Sequence, residues 1–404
     1  MRIGVIHWGF IPRGGGVEAH LLTVYPEMVR QGAEVFLLTE ALEGFPEEET
    51  VKGIRVVRDE GLSFSKLDER EKKGEAIRES SKRLFSEFLD RYGIQAVQGH
   101  NLHMDFFDLS AALNQACQER NIPCFLIIHN QEFIDRGPQV MLRILKDLPW
   151  TKLVPISQFI AKDLQARIPD IPRDRYQVIM HGIDLDLFAP RSKKEKEKLK
   201  EKYGLKGARV ILHPARMLRW KGIIPALKAM PEVFKRFPDA RIVFTGRVSA
   251  IVKGEEEVRR FNLLVDRTIE ELGIKENVLI GKYQFSDMPA LFALSEAAIY
   301  TTILDEPFGL CPVEAMASGV PAVITRSGGL VESVIEDETG FIISRDEKKI
   351  PSELADRISR LFSDPALAER MGKAGRRRAE EKFDKSRMAK ELITLGERSL
   401  PRAA

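Results

Sequence analysis

Two carboxylates eight residues apart, Glu306 and Glu314, stand in the run Asp305-Glu306-Pro307-Phe308-Gly309-Leu310-Cys311-Pro312-Val313-Glu314. An apolar segment at 297–300 precedes the run and another at 320–324 follows it, so the pattern predicts strand, loop, helix and strand. Pro307, Gly309 and Pro312 mark the start of the helix. Glu306 then lies on the loop at the strand's C-terminal end, and Glu314 lies about one turn inside the helix. A glycine-bearing loop that opens a helix turns free N–H groups and the positive helix end outward, which suits a phosphate.

A second run, Pro214-Ala215-Arg216-Met217-Leu218-Arg219-Trp220-Lys221-Gly222, follows another apolar strand and opens another helix. Arg216 supplies a planar fork and Lys221 a point charge, five positions apart across one loop. Two such cations suit a diphosphate. A third run, Gly14-Gly15-Gly16-Val17-Glu18-Ala19, satisfies the dinucleotide pattern G-x-G-x-x-A at Gly14, Gly16 and Ala19, with Glu40 ending the next strand. The six residues from His7 to Pro12 separate these glycines from their strand, whereas the fingerprint places its first glycine at the strand end. The run is therefore expected to be a loop that lets a substrate approach backbone closely. Among the histidines, His129 ends an apolar strand, where α/β domains carry functional side chains. His100 and His103 resemble a metal pair, but no third ligand follows at suitable spacing, so no metal is expected. Asp184-x-Asp186 resembles a metal-binding D-x-D pattern, but a lone one is weak evidence, and a turn or helix-cap role is expected.

Positioning these groups requires strands that end at one face. The chain supplies them: short apolar runs alternate with helical patterns from end to end, which implies parallel sheets covered on both faces. The expected class is α/β, with two consecutive Rossmann-like, doubly wound domains at 1–190 and 208–383 facing across a cleft. A charged Lys/Glu segment at 191–207 is expected to be a solvated linker helix. A final helix, 384–404, is expected to cross back to the first domain.

Composition narrows the function classes. Lys and Arg number 63 against 60 Asp and Glu, a net charge of +3 that calls for no nucleic acid. Three cysteines without C-x-x-C spacing argue against disulfides or a zinc ribbon and fit a reducing compartment. The apolar N-terminus is too short for a signal peptide and reads as a core strand. No run reaches the length of a membrane span. The expected location is the cytoplasm, with peripheral contact at the inner membrane face left open; oligomeric state is not legible.

Together the motifs resemble the retaining glycosyltransferases of family 4, which have the GT-B fold. The match rests on Glu306 to Glu314 within E-P-F-G-L…E-A-M-A-S-G-V-P, on Gly328-Gly329…Glu332…Glu338-Thr339-Gly340-Phe341, on Arg216…Lys221-Gly222, on Gly182-Ile183-Asp184…Phe188 and on the N-terminal Gly-Gly-Val-Glu. The resemblance implies transfer of a hexosyl group from a UDP- or GDP-sugar to a sugar, sugar phosphate, glycan or lipid acceptor. It implies no metal and no further cofactor. Glu306 would contact the donor hexose, and Glu314 the ribose. The backbone at Phe308, Gly309 and Leu310 would hold sugar and diphosphate, while Arg216 and Lys221 neutralise the leaving group. His129 would lie near the transferred sugar. The base would rest on Lys282 and Tyr283. Gly15 and Gly16 would border donor and acceptor, with Glu18 and His100 on the acceptor side. One departure is Arg247, which follows Gly246 where the family often has G-x-G; an insertion-like segment comes after it. A nucleotide-sugar epimerase or hydrolase of this fold, or a binding subunit without turnover, are the alternatives.

Overall fold

A computed structural model describes residues 1–12, 14–72, 77–104, 107–130, 138–246 and 255–401. Arg247 and the segment that follows it to residue 254 therefore lie outside the described residues. The chain divides into two compact units, Met1–Gly182 with Lys385–Ala404, and Ile183–Asp384.

The first unit is built on seven strands: β1 (Arg2–Ile6), β2 (Glu34–Glu40), β3 (Glu48–Val51), β4 (Ile54–Asp59), β5 (Ala96–His100), β6 (Cys124–Ile128) and β7 (Lys152–Pro155). Their order is β3-β4-β2-β1-β5-β6-β7, and every pairing is parallel except β3 with β4. Every residue of β5 and β6 is buried, as expected for strands covered on both faces. The chain reverses direction of growth between β1 and β5. Such a switch point opens a crevice at the strand C-termini, where ligands bind in folds of this kind.

The last helix, Lys385–Ser399, packs in this unit against the helix Gly16–Arg30. Ser386 Oγ donates to Glu27 Oε1 at 2.9 Å, and Gln31 Nε2 donates to the Ser386 carbonyl at 3.0 Å. A Cβ on Gly396 would stand 2.7 Å from the Met1 side chain, so the helix sits close over the start of β1.

The second unit repeats the plan with six parallel strands: β8 (Arg209–His213), β9 (Ala240–Phe244), β10 (Val278–Ile280), β11 (Ala297–Tyr300), β12 (Ala322–Thr325) and β13 (Gly340–Ile343). Their order is β10-β9-β8-β11-β12-β13, again with its switch beside the first strand, between β8 and β11. Ile211, Ile242, Phe244, Ile299, Val323 and Phe341 project from these strands into one buried core with the helices Ile223–Arg236 and Ile350–Ser363.

Two local expectations are revised. The charged segment at 191–207 is the solvated helix expected, but it belongs to the second unit and is not a linker between units. Its helix, Lys193–Lys202, starts with a Ser192–Glu195 capping box. Lys200 is buried and donates to Glu296 Oε1 at 2.7 Å and to the Ala208 carbonyl at 2.8 Å. That pairing gives the buried Lys200 a partly exposed carboxylate partner and ties the helix to the start of β11. The strand β3 and the helices Phe64–Lys72, Pro138–Asp147 and Gln158–Arg167 are additions to the elements expected.

Candidate active site

In the second unit the chemistry gathers where β8 and β11 end. After β8 the chain makes a short 3-10 turn, Arg219–Lys221, and reaches Gly222 at φ 69°, a left-handed conformation that favours glycine. A Cβ there would lie 1.8 Å from the Thr301 carbonyl oxygen, so no side chain fits. Threonines fasten this loop to β11. Thr301 Oγ1 donates to the Gly222 carbonyl at 3.0 Å, and Thr302 Oγ1 donates to the Trp220 carbonyl at 2.9 Å. The fastening fixes Lys221, which is 9% exposed and donates to Tyr300 Oη at 2.7 Å and Glu306 Oε2 at 2.5 Å. Lys221 and Glu306 are thus brought together from positions 85 residues apart.

The loop carrying Glu306 is held by Gly328 and Gly329. The Gly329 N–H donates to the Glu306 carbonyl at 2.7 Å, and a Cβ on Gly328 would meet that oxygen at 2.4 Å. Asp305 accepts from the Gly328 N–H at 3.1 Å and from Arg345 at 2.6 Å. The helix Leu310–Ala317 then starts after Gly309, which has φ 81°. Its first N–H groups have no partner within the helix. Phe308 is buried beneath this turn, its ring 5.8 Å from that of Phe383.

Glu314 lies inside that helix and is 9% exposed. Burial pushes its carboxyl up to about 7, and it makes no hydrogen bond or ion pair among the described residues. Tyr300 is also raised well above the usual phenol range, first by burial and then by the charge of Glu306. Arg216 is exposed, with no hydrogen bond or ion pair to its guanidinium among the described residues. Lys282 is exposed just past β10, and Tyr283 beside it is partly buried, its ring 6.0 Å from that of Tyr203. The arrangement offers a fixed cation, a free cation and unpaired amides to an anion, beside two carboxylates that can accept from hydroxyls.

The first unit gathers a different set at its own strand ends. Glu18 is buried in the first turn of the helix Gly16–Arg30 and lies 3.5 Å from His7 Nε2. Cβ atoms on Gly9 and Gly15 would fall 2.5 and 2.4 Å from its carboxylate oxygens, so both glycines make room for it. The nine residues from His7 to Gly15 separate β1 from the helix, and Gly15 itself is the N-cap, so the dinucleotide geometry is not reproduced.

His129 follows β6 and is 7% exposed; its backbone N–H donates to Asn101 Oδ1 at 2.9 Å. His129 Nε2 lies 2.8 Å from His100 Nδ1, and His129 Nδ1 lies 3.3 Å from His181 Nε2. His100 Nε2 meets Tyr25 Oη at 2.6 Å, and Tyr25 Oη donates to Gln98 Oε1 at 2.5 Å. Burial pushes His20, His100 and His129 well below the usual imidazole range and His181 to about 3. All four are therefore neutral near pH 7. His103 points elsewhere, to the Asn130 carbonyl at 2.9 Å. Asp184 accepts from the Asp186 and Leu187 N–H groups at 3.1 and 3.0 Å, which is a turn.

Sequence reasoning missed His20, Tyr25 and Tyr300. His20 and Tyr25 lie on a helix, and only helical phasing with the buried Leu21, Val24 and Met28 signals that they face inward. Tyr300 is the last residue of an apolar strand and reads as core.

Comparison with known proteins accounts for both halves. The family model described as Glycosyltransferase Family 4 matches residues 14–187, and that described as Glycosyl transferases group 1 matches residues 195–378. The spore coat protein SA of Bacillus subtilis is 26% identical over 418 residues, covering 99% of this chain and 100% of that protein. A GDP-mannose-dependent alpha-(1-6)-phosphatidylinositol monomannoside mannosyltransferase of Mycolicibacterium smegmatis is 31% identical over 203 residues, 48% of this chain and 49% of that one. Among solved structures, Anabaena HepE in complex with UDP superposes with a TM-score of 0.78 at 19% identity, covering 98% of this chain and 100% of that chain. That likeness is one of fold. With two doubly wound units, both family models and the Glu306–Glu314 spacing in agreement, the chain belongs to the group 1 glycosyltransferases of family 4, which have the GT-B fold.

Proposed function

We propose that the protein moves a hexosyl group from a nucleoside diphosphate sugar to a hydroxyl of a sugar, sugar phosphate, glycan or lipid-linked acceptor, with retention at the anomeric carbon. The observation that carries this reading is the Lys221–Glu306 pair, held by Tyr300 at the ends of β8 and β11 beside the exposed Arg216 and the start of the helix Leu310–Ala317. Uridine and guanosine are the favoured bases. A relative is GDP-mannose-dependent and a structural neighbour was solved with UDP.

In the reaction the bond between the anomeric carbon and the β-phosphate oxygen breaks, and its electron pair leaves with the diphosphate. Arg216, Lys221 and the free helix amides meet that charge. Each preorganised donor of this kind is worth about 2.7–4 kcal/mol by analogy with oxyanion holes. These groups supply the positive charge without a metal. The acceptor oxygen bonds to the same face of the sugar as the leaving group, and its proton passes to the leaving phosphate oxygen. Glu306 accepts from the donor hexose hydroxyls and Glu314 from the ribose. The backbone at Phe308, Gly309 and Leu310 lines the diphosphate, and Lys282 and Tyr283 border the base. In the first unit, His129 serves the transferred sugar, Gly15 and Gly16 let substrate approach backbone, and Glu18 and His100 lie on the acceptor side.

The cytoplasm is the proposed location, with peripheral membrane contact if the acceptor is a lipid. No helix among the described residues is long and apolar enough to cross a membrane. Release of UDP or GDP from a panel of nucleotide sugars tests the reading. Wild type is expected to turn over one donor class, and Glu306→Ala to be at least tenfold slower in kcat. Equal rates for the two proteins would remove Glu306 from the mechanism.

A further inference from the structure

His20 is 2% exposed, and neither of its ring nitrogens has a hydrogen-bond partner among the described residues. Leaving buried polar atoms unpaired costs about 1–3 kcal/mol each, and a leucine would fill a helix position at no such cost. Something at this position needs an imidazole. The His20 ring centroid lies 5.0 Å from that of His129 and 5.4 Å from that of His100. One ring nitrogen from each of the three lies within 4.8 Å of the other two. An ion bound tetrahedrally with nitrogens at about 2.0–2.1 Å sets its ligand atoms roughly 3.3 Å apart. The pair His100 Nδ1 and His129 Nε2, at 2.8 Å, is slightly tighter than this. Metal binding would draw the three nitrogens, which lie within 4.8 Å of one another, to that spacing.

The outer nitrogens carry a second signature. His100 Nδ1 faces His129, while its Nε2 is held by Tyr25, itself bonded to Gln98. His129 Nε2 faces His100, while its Nδ1 is held by His181. Metal-ligating histidines are oriented in this way, by a partner on the nitrogen that does not bind. A hydrogen-bonded histidine pair would explain the His100–His129 contact, but it leaves His20 without a purpose. All three residues lie within the first unit.

We propose that His20, His100 and His129 form a three-histidine site for a divalent metal ion of the zinc class. An all-imidazole set suits zinc, cobalt, nickel or copper and excludes magnesium and calcium, which take oxygen ligands. The site stands on this geometry alone. Its consequence for turnover rests on the reading of His129 given above: an ion on Nε2 withdraws His129 from the transferred sugar, so the metal inhibits and is not a cofactor.

The test uses the full chain without a histidine tag, stripped with chelator and titrated with cobalt. Visible d–d absorption of tetrahedral type is expected, saturating at one equivalent and displaced by zinc. His20→Leu should weaken cobalt binding at least tenfold while nucleotide binding by the second unit stays unchanged, which shows that the variant is folded. His20→Cys should keep the site and add a thiolate-to-cobalt charge-transfer band, a gain that survives if the leucine variant does not fold. Absence of cobalt absorption in wild type, or equal affinity in wild type and both variants, overturns the proposal. Zinc should also slow turnover, with recovery on chelation. Bound zinc with unaltered turnover would confirm the site and overturn the inhibition.

Discussion

The two units place different chemistry at equivalent positions of the same sheet topology. In the second unit, the strand ends beside the switch carry opposite charges, Lys221 against Glu306, with Tyr300 between them and Arg216 exposed outside. In the first, the strand ends carry neutral imidazoles with Tyr25 and Gln98 behind them. A buried cation needs a partner until its ligand arrives, because unpaired burial of charge is far costlier than unpaired burial of a dipole. Neutral rings carry a smaller penalty and can stand close together, as His20, His100, His129 and His181 do. The comparison teaches that one architecture carries a buried ion pair at the strand ends of one unit and neutral imidazoles at those of the other, through side chains alone.

Removing the charge in the second unit breaks the comparison most severely. Lys221→Ala is expected to lower kcat by about 10²–10³, the loss associated with one preorganised donor to a developing anion. Steady-state kinetics on the preferred donor measures this, and a near wild-type rate would separate Lys221 from the leaving group. Gly222→Ala comes next. It forces a Cβ into a left-handed position 1.8 Å from a carbonyl oxygen and should cost at least about 1–3 kcal/mol of stability. Chemical denaturation reads the loss, together with local hydrogen exchange in the Arg219–Gly222 turn.

A smaller effect sharpens the comparison through pH. In the proposed role Glu314 accepts from ribose hydroxyls more strongly when ionised, and burial pushes its folded carboxyl up to about 7. Affinity for the nucleoside diphosphate should therefore rise about tenfold from pH 6 to pH 8, as the ionised fraction grows. Glu314→Gln should flatten that rise; an unchanged slope would exclude Glu314 as its source. The same shift acts oppositely on the free protein. A carboxyl raised from 4.5 stabilises the fold below that value, and the contribution fades as pH climbs through 7.

The smallest effect is in the first unit and has the other sign. Glu27 is held down to about 2, chiefly by the Arg30 guanidinium and further by Gln31 and Ser386. Its contribution is present above 4.5 and is lost as pH falls toward 2. Hydrogen-exchange protection factors, corrected for the intrinsic pH dependence of amide exchange, should fall on acidification across the contact between the helices Gly16–Arg30 and Lys385–Ser399, and Glu27→Gln should remove much of that dependence.

Much of the fold was legible because parallel strands buried on both faces read as unbroken apolar runs. Ile3 to Ile6, Cys124 to Ile128 and Val210 to Leu212 announce themselves in this way. The strand β3 does not: it is Glu-Glu-Thr-Val at a sheet edge, partly exposed, and its pairing with β4 is set by the turn at Lys52 and Gly53. The Lys/Glu helix is solvent-facing as its charges suggest, but pattern cannot reveal that Lys200 turns inward to Glu296 and ties it to the second unit. The same limit governs the site. Glu306, Lys221 and Arg216 were visible as types at strand ends, but the ion pair between the first two is a product of tertiary closure over 85 residues. His20 escaped because attention to strand ends overlooks a helix that leans over them.

The central claim is that the second unit is built for a nucleoside diphosphate, and calorimetry with UDP, GDP and ADP in metal-free buffer tests it most directly. The account predicts selective binding of one of the first two, lost or strongly weakened in Lys221→Ala and unchanged by added magnesium. No binding of any of the three, with or without magnesium, would contradict it.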